Sequence, residues 1–348
     1  MSFTNKRIKF YVLIPVYNTG CYIRQCLDSV IKQTYPNFEV VLVDDGSLDQ
    51  SGMICDEYAI IDSRIHVIHK KNEGQIAARS SAIAYVKENC VQENAFFIFV
   101  DSDDYLQPGA LGILSAIIQE KCCDVVIYGM QSVHDGKIVF LEKEPYIGSI
   151  TDKRTLYKKV LFDMKYNSLC RKAISCELFS DEDWRPYYHI RYAEDLLQSI
   201  PIYKNCRKVE FIDSILYNYR MNPASITHSI SLNSYTVNST VRRTVWEFLQ
   251  KENVLTTQDM EEYLQQCRFI LKKELRAVCS LSGKYAEYCA ILEKFRQDSY
   301  YSMLLKGNQK DFLLAWLKNE DYVKIFIFAK ARGLLSKCYH VLKGMVKI

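Results

Sequence analysis

FFIFVDSDDYLQPGALGILSAIIQE, residues 96–120, opens with five apolar residues and then breaks abruptly into acid. Phe96–Val100 is short and apolar at every position, which reads as a strand buried on both faces. Asp101, Ser102, Asp103 and Asp104 follow at once, and a helical pattern runs from Leu111 to Glu120. The same rhythm extends outward in both directions. Phe10–Val16, Phe38–Val43, Ile65–His69 and Asp124–Tyr128 are further strand-like runs, and Tyr22–Gln33, Ser51–Ile61 and Gln75–Glu88 are helical patterns between them. Strand–helix alternation of this kind predicts an α/β fold, Rossmann-like, with a mostly parallel central sheet flanked by helices.

In open α/β sheets ligands bind beyond the carboxyl ends of the strands, so the residues closing each run carry the functional reading. The first run closes with Pro15, Val16, Tyr17 and Asn18, the second with Asp44, Asp45, Gly46 and Ser47, the fourth with Asp101 to Asp104. A single Asp-Gly-Ser is a turn and a helix cap; two acidic clusters at two strand ends imply a ligand. In extended backbone Asp101 and Asp103 would point the same way about 6–7 Å apart. That is too far for both to contact one ion unless the backbone tightens, so the expectation is a division of labour, one carboxylate meeting a hard divalent cation and the other a hydroxyl or a metal-bound water. Mg2+ or Mn2+ suits such a site, taking few carboxylates and completing its shell with phosphate and water. Neither G-x-x-x-x-G-K-[ST] nor G-x-G-x-x-G occurs, so phosphate binding is expected to rest on metal.

Composition narrows the class. A net charge of +4 on 348 residues is too small to imply a nucleic-acid partner. The charge is uneven: Lys324, Lys330, Arg332, Lys337, Lys343 and Lys347 lie in a C-terminal segment without acid, leaving the remainder mildly acidic. Thirteen cysteines without a C-x-x-C give neither a disulfide framework nor a zinc site. They suit a reducing compartment. No secretory signal and no spanning apolar stretch is evident, and the expectation is a cytoplasmic protein. All seven prolines lie at or before Pro223. The rest is helix-like, so the expected domains are 1–230, carrying the site, and 231–348, a helical appendage. Its basic end fits either a packed helix with a solvated face or an amphipathic segment on the anionic inner face of the plasma membrane.

Four stretches, LIPVYNTG (Leu13–Gly20), VDDGSLDQS (Val43–Ser51), NEGQIAARSSA (Asn72–Ala82) and VDSDDYLQPGAL (Val100–Leu111), resemble in order and spacing the N-terminal blocks of family 2 glycosyltransferases. The resemblance implies a GT-A fold and a UDP-sugar donor. By it Pro15, Val16, Tyr17 and Asp45 hold the nucleotide base, Asp45 accepting from the base ring nitrogen, and Asp44 supports that loop. Asp101, Ser102 and Asp103 form the D-x-D motif, with Asp103 as metal ligand and Asp101 nearer the ribose or a metal-bound water. Asn72, Gly74 and Arg79 line the donor site; Arg79 meets phosphate or positions Asp101, the alternative being a helix-surface arginine.

YAEDLLQSIPIY (Tyr192–Tyr203) resembles the family's E-D block, which makes Asp195 the general base and Glu194 its neighbour. The plainer alternative is that both acids favour a helix N-terminus. NSLCRK (Asn167–Lys172) resembles a basic block, with Ser168 and Cys170 departing from it. LYNYRMNPASITHS (Leu216–Ser229) resembles a strand and loop after which some relatives add a metal ligand, here His228. His66 and His69, three apart on a strand, point to opposite faces. The resemblance implies inverting transfer of a sugar to a glycan or lipid-linked acceptor in cell-surface polysaccharide synthesis. Two other readings compete. A nucleotidyltransferase would bring a Gly-rich basic loop that IPVYNTG lacks; a non-catalytic nucleotide-sugar-binding protein would have no need of Asp103, Glu194 and Asp195 together.

Overall fold

A computed structural model describes residues 7–89, 93–179, 182–191, 193–222, 232–281, 285–306 and 311–331. The chain divides into two compact units, Met1–His228 and Ser229–Ile348. The first unit opens with β1 (Lys9–Val16), α1 (Ile23–Ile31), β2 (Phe38–Asp44), α2 (Ser51–Ile61), β3 (Ile65–His69), α3 (Gln75–Asn89) and β4 (Ala95–Phe99). These strands stand in the order β3-β2-β1-β4, all parallel. Every residue of β1 except Pro15 is buried, as are all five of β4. That is the cause of their unbroken apolar sequence: helices cover both faces of a parallel sheet. Truncating a side chain such as Leu13 to alanine would cost about 2–5 kcal/mol.

The unit continues with β5 (Tyr105–Leu106), α4 (Ala110–Lys121), β6 (Val125–His134), β7 (Lys137–Glu142), β8 (Gly148–Ile150), α5 (Lys153–Phe162), β9 (Lys172–Ser175), α6 (Glu194–Asn205) and β10 (Val209–Arg220). The sheet then reads β3-β2-β1-β4-β9-β6-β10-β5, with β7 on β6 and β8 on β10. β9 runs antiparallel to both β4 and β6. Its insertion next to β4 carries the segment before it, residues 166–171, to the end of β4 where the acids lie. The run expected to stop at Tyr128 continues to His134, because Asp135 (φ 47°) and Gly136 (φ 74°) form a two-residue turn that folds β7 back on it. Such positive-φ pairs match the twist of a hairpin.

The second unit is helical: α7 (Leu232–Glu252), α8 (Thr257–Leu281), α9 (Tyr285–Gln297), α10 (Ser299–Leu304) and α11 (Phe312–Lys318). Val241, Val245 and Leu249 on α7, and Tyr263, Cys267, Leu271 and Leu275 on α8, recur every four residues and are buried, the stripe of an amphipathic helix. Asp298 and Asp311 cap α10 and α11 by accepting from backbone N–H groups. No helix among the described residues is long and apolar enough to cross a membrane. Most of the basic C-terminal segment, residues 332–348, lies outside the described residues, as does His228.

Candidate active site

The loops after β1 and β2 are laced together. Asn18 N donates to Ser47 Oγ (3.1 Å), Leu48 N to Asn18 Oδ1 (2.7 Å), Thr19 N to Ser51 Oγ (2.8 Å) and Asp45 N to Val16 O (2.8 Å). Tyr17 stands exposed above them. Val16 is buried, and its carbonyl accepts that last bond. Asp45 is buried too. It accepts from Lys70 Nζ (3.0 Å), Glu73 N (3.0 Å) and Gly74 N (2.7 Å), pinning the loop that carries exposed Asn72. A carboxylate has about four acceptor positions, so one remains for a base N–H. Gly46 (φ +74°) lets that loop close: a Cβ there would stand 2.9 Å from Asn72 N.

Asp44 accepts from Ser47 N (3.0 Å) and meets His69 Nδ1 (3.0 Å), whose other nitrogen meets Asp56 (3.0 Å). Burial works against the charge on Asp44, yet these bonds hold its carboxyl below the usual range. Asp56 and Asp44 together raise the His69 imidazole, against a smaller effect of burial. His66, on the opposite face, meets Glu39 (2.9 Å).

The acids after β4 sit in a different setting. Residues 101–104 form a tight turn, Asp104 N donating to Asp101 O (2.9 Å), rather than the extended backbone expected. Asp104 is a brace: buried, it accepts from Tyr217 OH (2.8 Å) and Arg220 N (2.7 Å). Ser102 is buried and accepts from Thr19 Oγ1 (2.9 Å), tying this turn to the β1 loop. Asp101 is gripped by Gln75 Nε2 (2.9 Å) and Arg79 Nη2 (3.4 Å) on Oδ1 and by the Cys170 thiol (3.2 Å) on Oδ2. Although 31% of its side chain meets solvent, burial first, then Asp195 and Asp103, raise its carboxyl against the pull of Arg79. Asp103 is raised as well, by burial that outweighs a hydrogen bond with Asn222 and the charge of Arg220.

Arg79 joins this turn to α6. Only 1% exposed, it is no surface arginine. Its Nη1 donates to Asp195 Oδ1 and to Gln198 Oε1 (3.1 Å), with Glu194 at 4.0 Å. Leu169 N donates to Asp195 Oδ2 (3.1 Å). That loop is itself fixed by Lys172, buried, whose ammonium donates to the carbonyls of Tyr166, Asn167 and Ser168; burial pushes its pKa down to about 7. Arg171 donates to Tyr128 O and Glu142. The basic block at 167–172 is therefore internal scaffolding. Glu194 opens α6 after Ala193, which adopts φ 59°. Burial, then the charge of Asp195, lift its carboxyl to about 7, against the opposing pull of Arg79.

Asp101, Glu194 and Asp195 are thus joined through Arg79, with Asp103 in the same turn as Asp101, while Asp44 and Asp45 tie the loops after β2 and β3 together. Sequence reasoning passed over Gln75, Cys170, Asn222 and Arg191. The last donates to Glu73 O (2.9 Å) and Tyr188 O (2.7 Å) and lies so close over Gly74 that a Cβ there would stand 1.2 Å from its Nη1. Gly74 is needed for that approach. Its place in NEGQ, beside Gln75, was the available signal.

A mostly parallel sheet that gathers acids from two strand ends and a helix start at one edge has the plan of an α/β enzyme acting on a phosphorylated ligand. The comparisons with known proteins give the family. The sequence profile of Glycosyl transferase family 2 matches residues 11–179. Glycosyltransferase GlyG of Streptococcus pneumoniae is 33% identical over 224 residues, 62% of this chain and 71% of that protein. The uncharacterized glycosyltransferase EpsJ of Bacillus subtilis is 28% identical over 236 residues, 62% of each chain. The crystal structure of Staphylococcus aureus TarS 1–349 shares the fold, with a TM-score of 0.67 at 21% identity, over 94% of this chain and 92% of that one. The chain belongs to glycosyl transferase family 2 and is a glycosyltransferase with a GT-A-like α/β unit and a helical C-terminal region.

Proposed function

We propose that the protein transfers a sugar from a UDP-sugar to a hydroxyl of a glycan or lipid-linked acceptor, with inversion at the anomeric carbon. The observation that carries this reading is the convergence of Asp101, Glu194 and Asp195 around Arg79, with Asp103 in the same turn as Asp101. TarS, a poly(ribitol-phosphate) β-N-acetylglucosaminyltransferase, has been solved with UDP and with UDP-GlcNAc, which supports a uridine donor. Tyr17 and the free acceptor position of Asp45 would take the base, and Asn72 would line the same wall. Any role of His228 as an added ligand, and of the basic C-terminal segment at an anionic membrane surface, belongs to the same proposal.

The residues fit a hard divalent ion, Mg2+ or Mn2+. Among the described residues no group of three or more His, Cys, Asp or Glu is placed to hold a metal ion, so its shell would rest on one or two carboxylates with phosphate and water. Asp103 is a half-buried acid whose neighbours leave its charge under-compensated. Asp103 would hold the ion directly, while Asp101, already gripped by three donors, would hold a ribose hydroxyl or a metal-bound water. When bound, the ion neutralises charge on the departing diphosphate. The chain's own acids handle the proton. The acceptor oxygen bonds to the anomeric carbon as the bond to the β-phosphate oxygen breaks, and the hydroxyl proton passes to Asp195. Arg79 and Leu169 N orient that carboxylate.

Donor turnover tests the reading before an acceptor is known. Purified protein is offered UDP- and GDP-sugars with Mn2+ or Mg2+, with and without EDTA, and nucleoside diphosphate release is measured. Metal-dependent UDP release from one donor, lost in Asp103→Ala, is expected; absence of both release and metal-dependent UDP binding would overturn it.

A further inference from the structure

The hairpin of β6 and β7 carries a surface that sugar transfer does not use. Among the described residues β7 pairs with β6 alone, so its outer edge is open. Along it Ile138, Val139, Phe140 and Leu141 are each exposed by about half (49–59%), and Tyr146 and Ile147 follow, exposed as well. A strand with apolar side chains on both faces and unpaired backbone groups on one edge is a template for another strand. Contiguous apolar surface of this kind marks an interaction site.

We propose that β7 pairs antiparallel with β7 of a second copy of this chain, about a two-fold axis normal to the strands. The charges are self-complementary: Lys137 opens the strand and Glu142 closes it, so antiparallel pairing sets each lysine end against a glutamate end. The register is self-complementary too. Two-fold pairing places each residue opposite one on the same face, and in a regular strand residues five apart lie on opposite faces. β7 is not regular. Val133 faces Ile138 and Ser132 faces Phe140, leaving Val139 as an extra residue. The bulge returns Glu142 to the face of Lys137 and Leu141 to that of Ile138. One register then gives Lys137–Glu142 and Ile138–Leu141 as cross-strand pairs in both directions. Glu142 Oε1 also accepts from Arg171, yet 28% of its side chain stays exposed for a partner. The charges flanking the apolar run are of both signs (Asp135, Lys137, Glu142, Lys143), a balance that suits a second copy better than an anionic membrane.

Sedimentation velocity of the full chain over a concentration series tests this. A dimer is expected, weakened about 100-fold or more by Phe140→Arg, with circular dichroism and thermal midpoint unchanged to show that the variant folds. Lys137→Glu, which sets like charges opposite each other, is expected to weaken it roughly 3–10-fold, an effect reduced by salt. A wild type that stays monomeric up to hundreds of micromolar, or a dimer indifferent to Phe140→Arg, would overturn the proposal. So would a monomer that binds phosphatidylcholine–phosphatidylglycerol vesicles through Phe140.

Discussion

β2 and β4 flank β1 on its two sides, and each ends in a loop of acids. After β2, Asp44 and Asp45 are surrounded by donors: Ser47 N and His69 for one, Lys70, Glu73 N and Gly74 N for the other. After β4, Asp101, Asp103 and Asp104 share one turn, Asp195 acts on Asp101 as well, and all three carboxyls are raised. The same residue type at equivalent ends of parallel strands is thus a staple in one place and a stored negative field in the other. Burial acts against the charge on Asp44 and on the acids after β4; at Asp44 the hydrogen bonds prevail, and at Asp101, Asp103 and Asp104 burial does. A fold gains stability from the first loop and gives some up at the second, where the under-compensated charge suits a cation.

Substitutions should separate the two loops. Removing Asp45 as Asp45→Ala strands the Glu73 and Gly74 amides and takes from Lys70 one of its two carboxylates, and is expected to cost about 2–4 kcal/mol in urea unfolding. Asp103→Asn should do the reverse. A carboxyl raised in the folded protein contributes stability fully present below its unfolded pKa and lost as pH rises through the folded value. The amide is therefore expected to match or slightly exceed wild-type stability at pH 8 while activity falls about 10²–10³-fold, the loss of several kcal/mol of charge stabilisation. An Asp103→Asn protein that unfolds as readily as Asp45→Ala would erase the contrast.

The E-D pair sharpens it. Asp195→Asn is expected to lower kcat about 10²–10⁴-fold with little change in donor KM. In Glu194→Gln the smaller loss should come with a changed pH profile. Wild-type kcat should rise through pH about 7 as Glu194 ionises. The glutamine variant should lack that limb; a variant with the wild-type limb would show that Glu194 does not set it.

The smallest effect is expected at His69, a half-exposed bridge. Its raised pKa means that its contribution is present below its unfolded pKa and fades as pH rises through the folded value. His69→Gln should cost under about 1 kcal/mol at pH 6 and less at pH 9, read from thermal midpoints.

The sheet was legible because burial on both faces writes itself as unbroken apolar runs: α2 (Ser51–Ile61) and β3 (Ile65–His69) lie where periodicity put them. Acids at strand ends were legible for the same reason, since they interrupt those runs. The pairings were not. Arg79 and Asp195 are 116 residues apart, and nothing local distinguishes a clamp from a helix-surface arginine. Cys170 reaches Asp101 only because β9 inserts antiparallel beside β4, a crossover that no periodicity encodes. The β6–β7 hairpin had a local signal in His-Asp-Gly-Lys, residues 134–137, obscured by the polar residues that lengthen β6 past Tyr128.

The contrast between the loops is tested most directly by Mn2+ binding, followed by electron paramagnetic resonance at saturating UDP, in the wild type, Asp44→Asn and Asp103→Asn. The account predicts that wild type and Asp44→Asn hold the ion with similar affinity, while Asp103→Asn binds it at least about 10-fold more weakly. An Asp103→Asn protein that keeps the ion, with Asp44→Asn losing it, would contradict it.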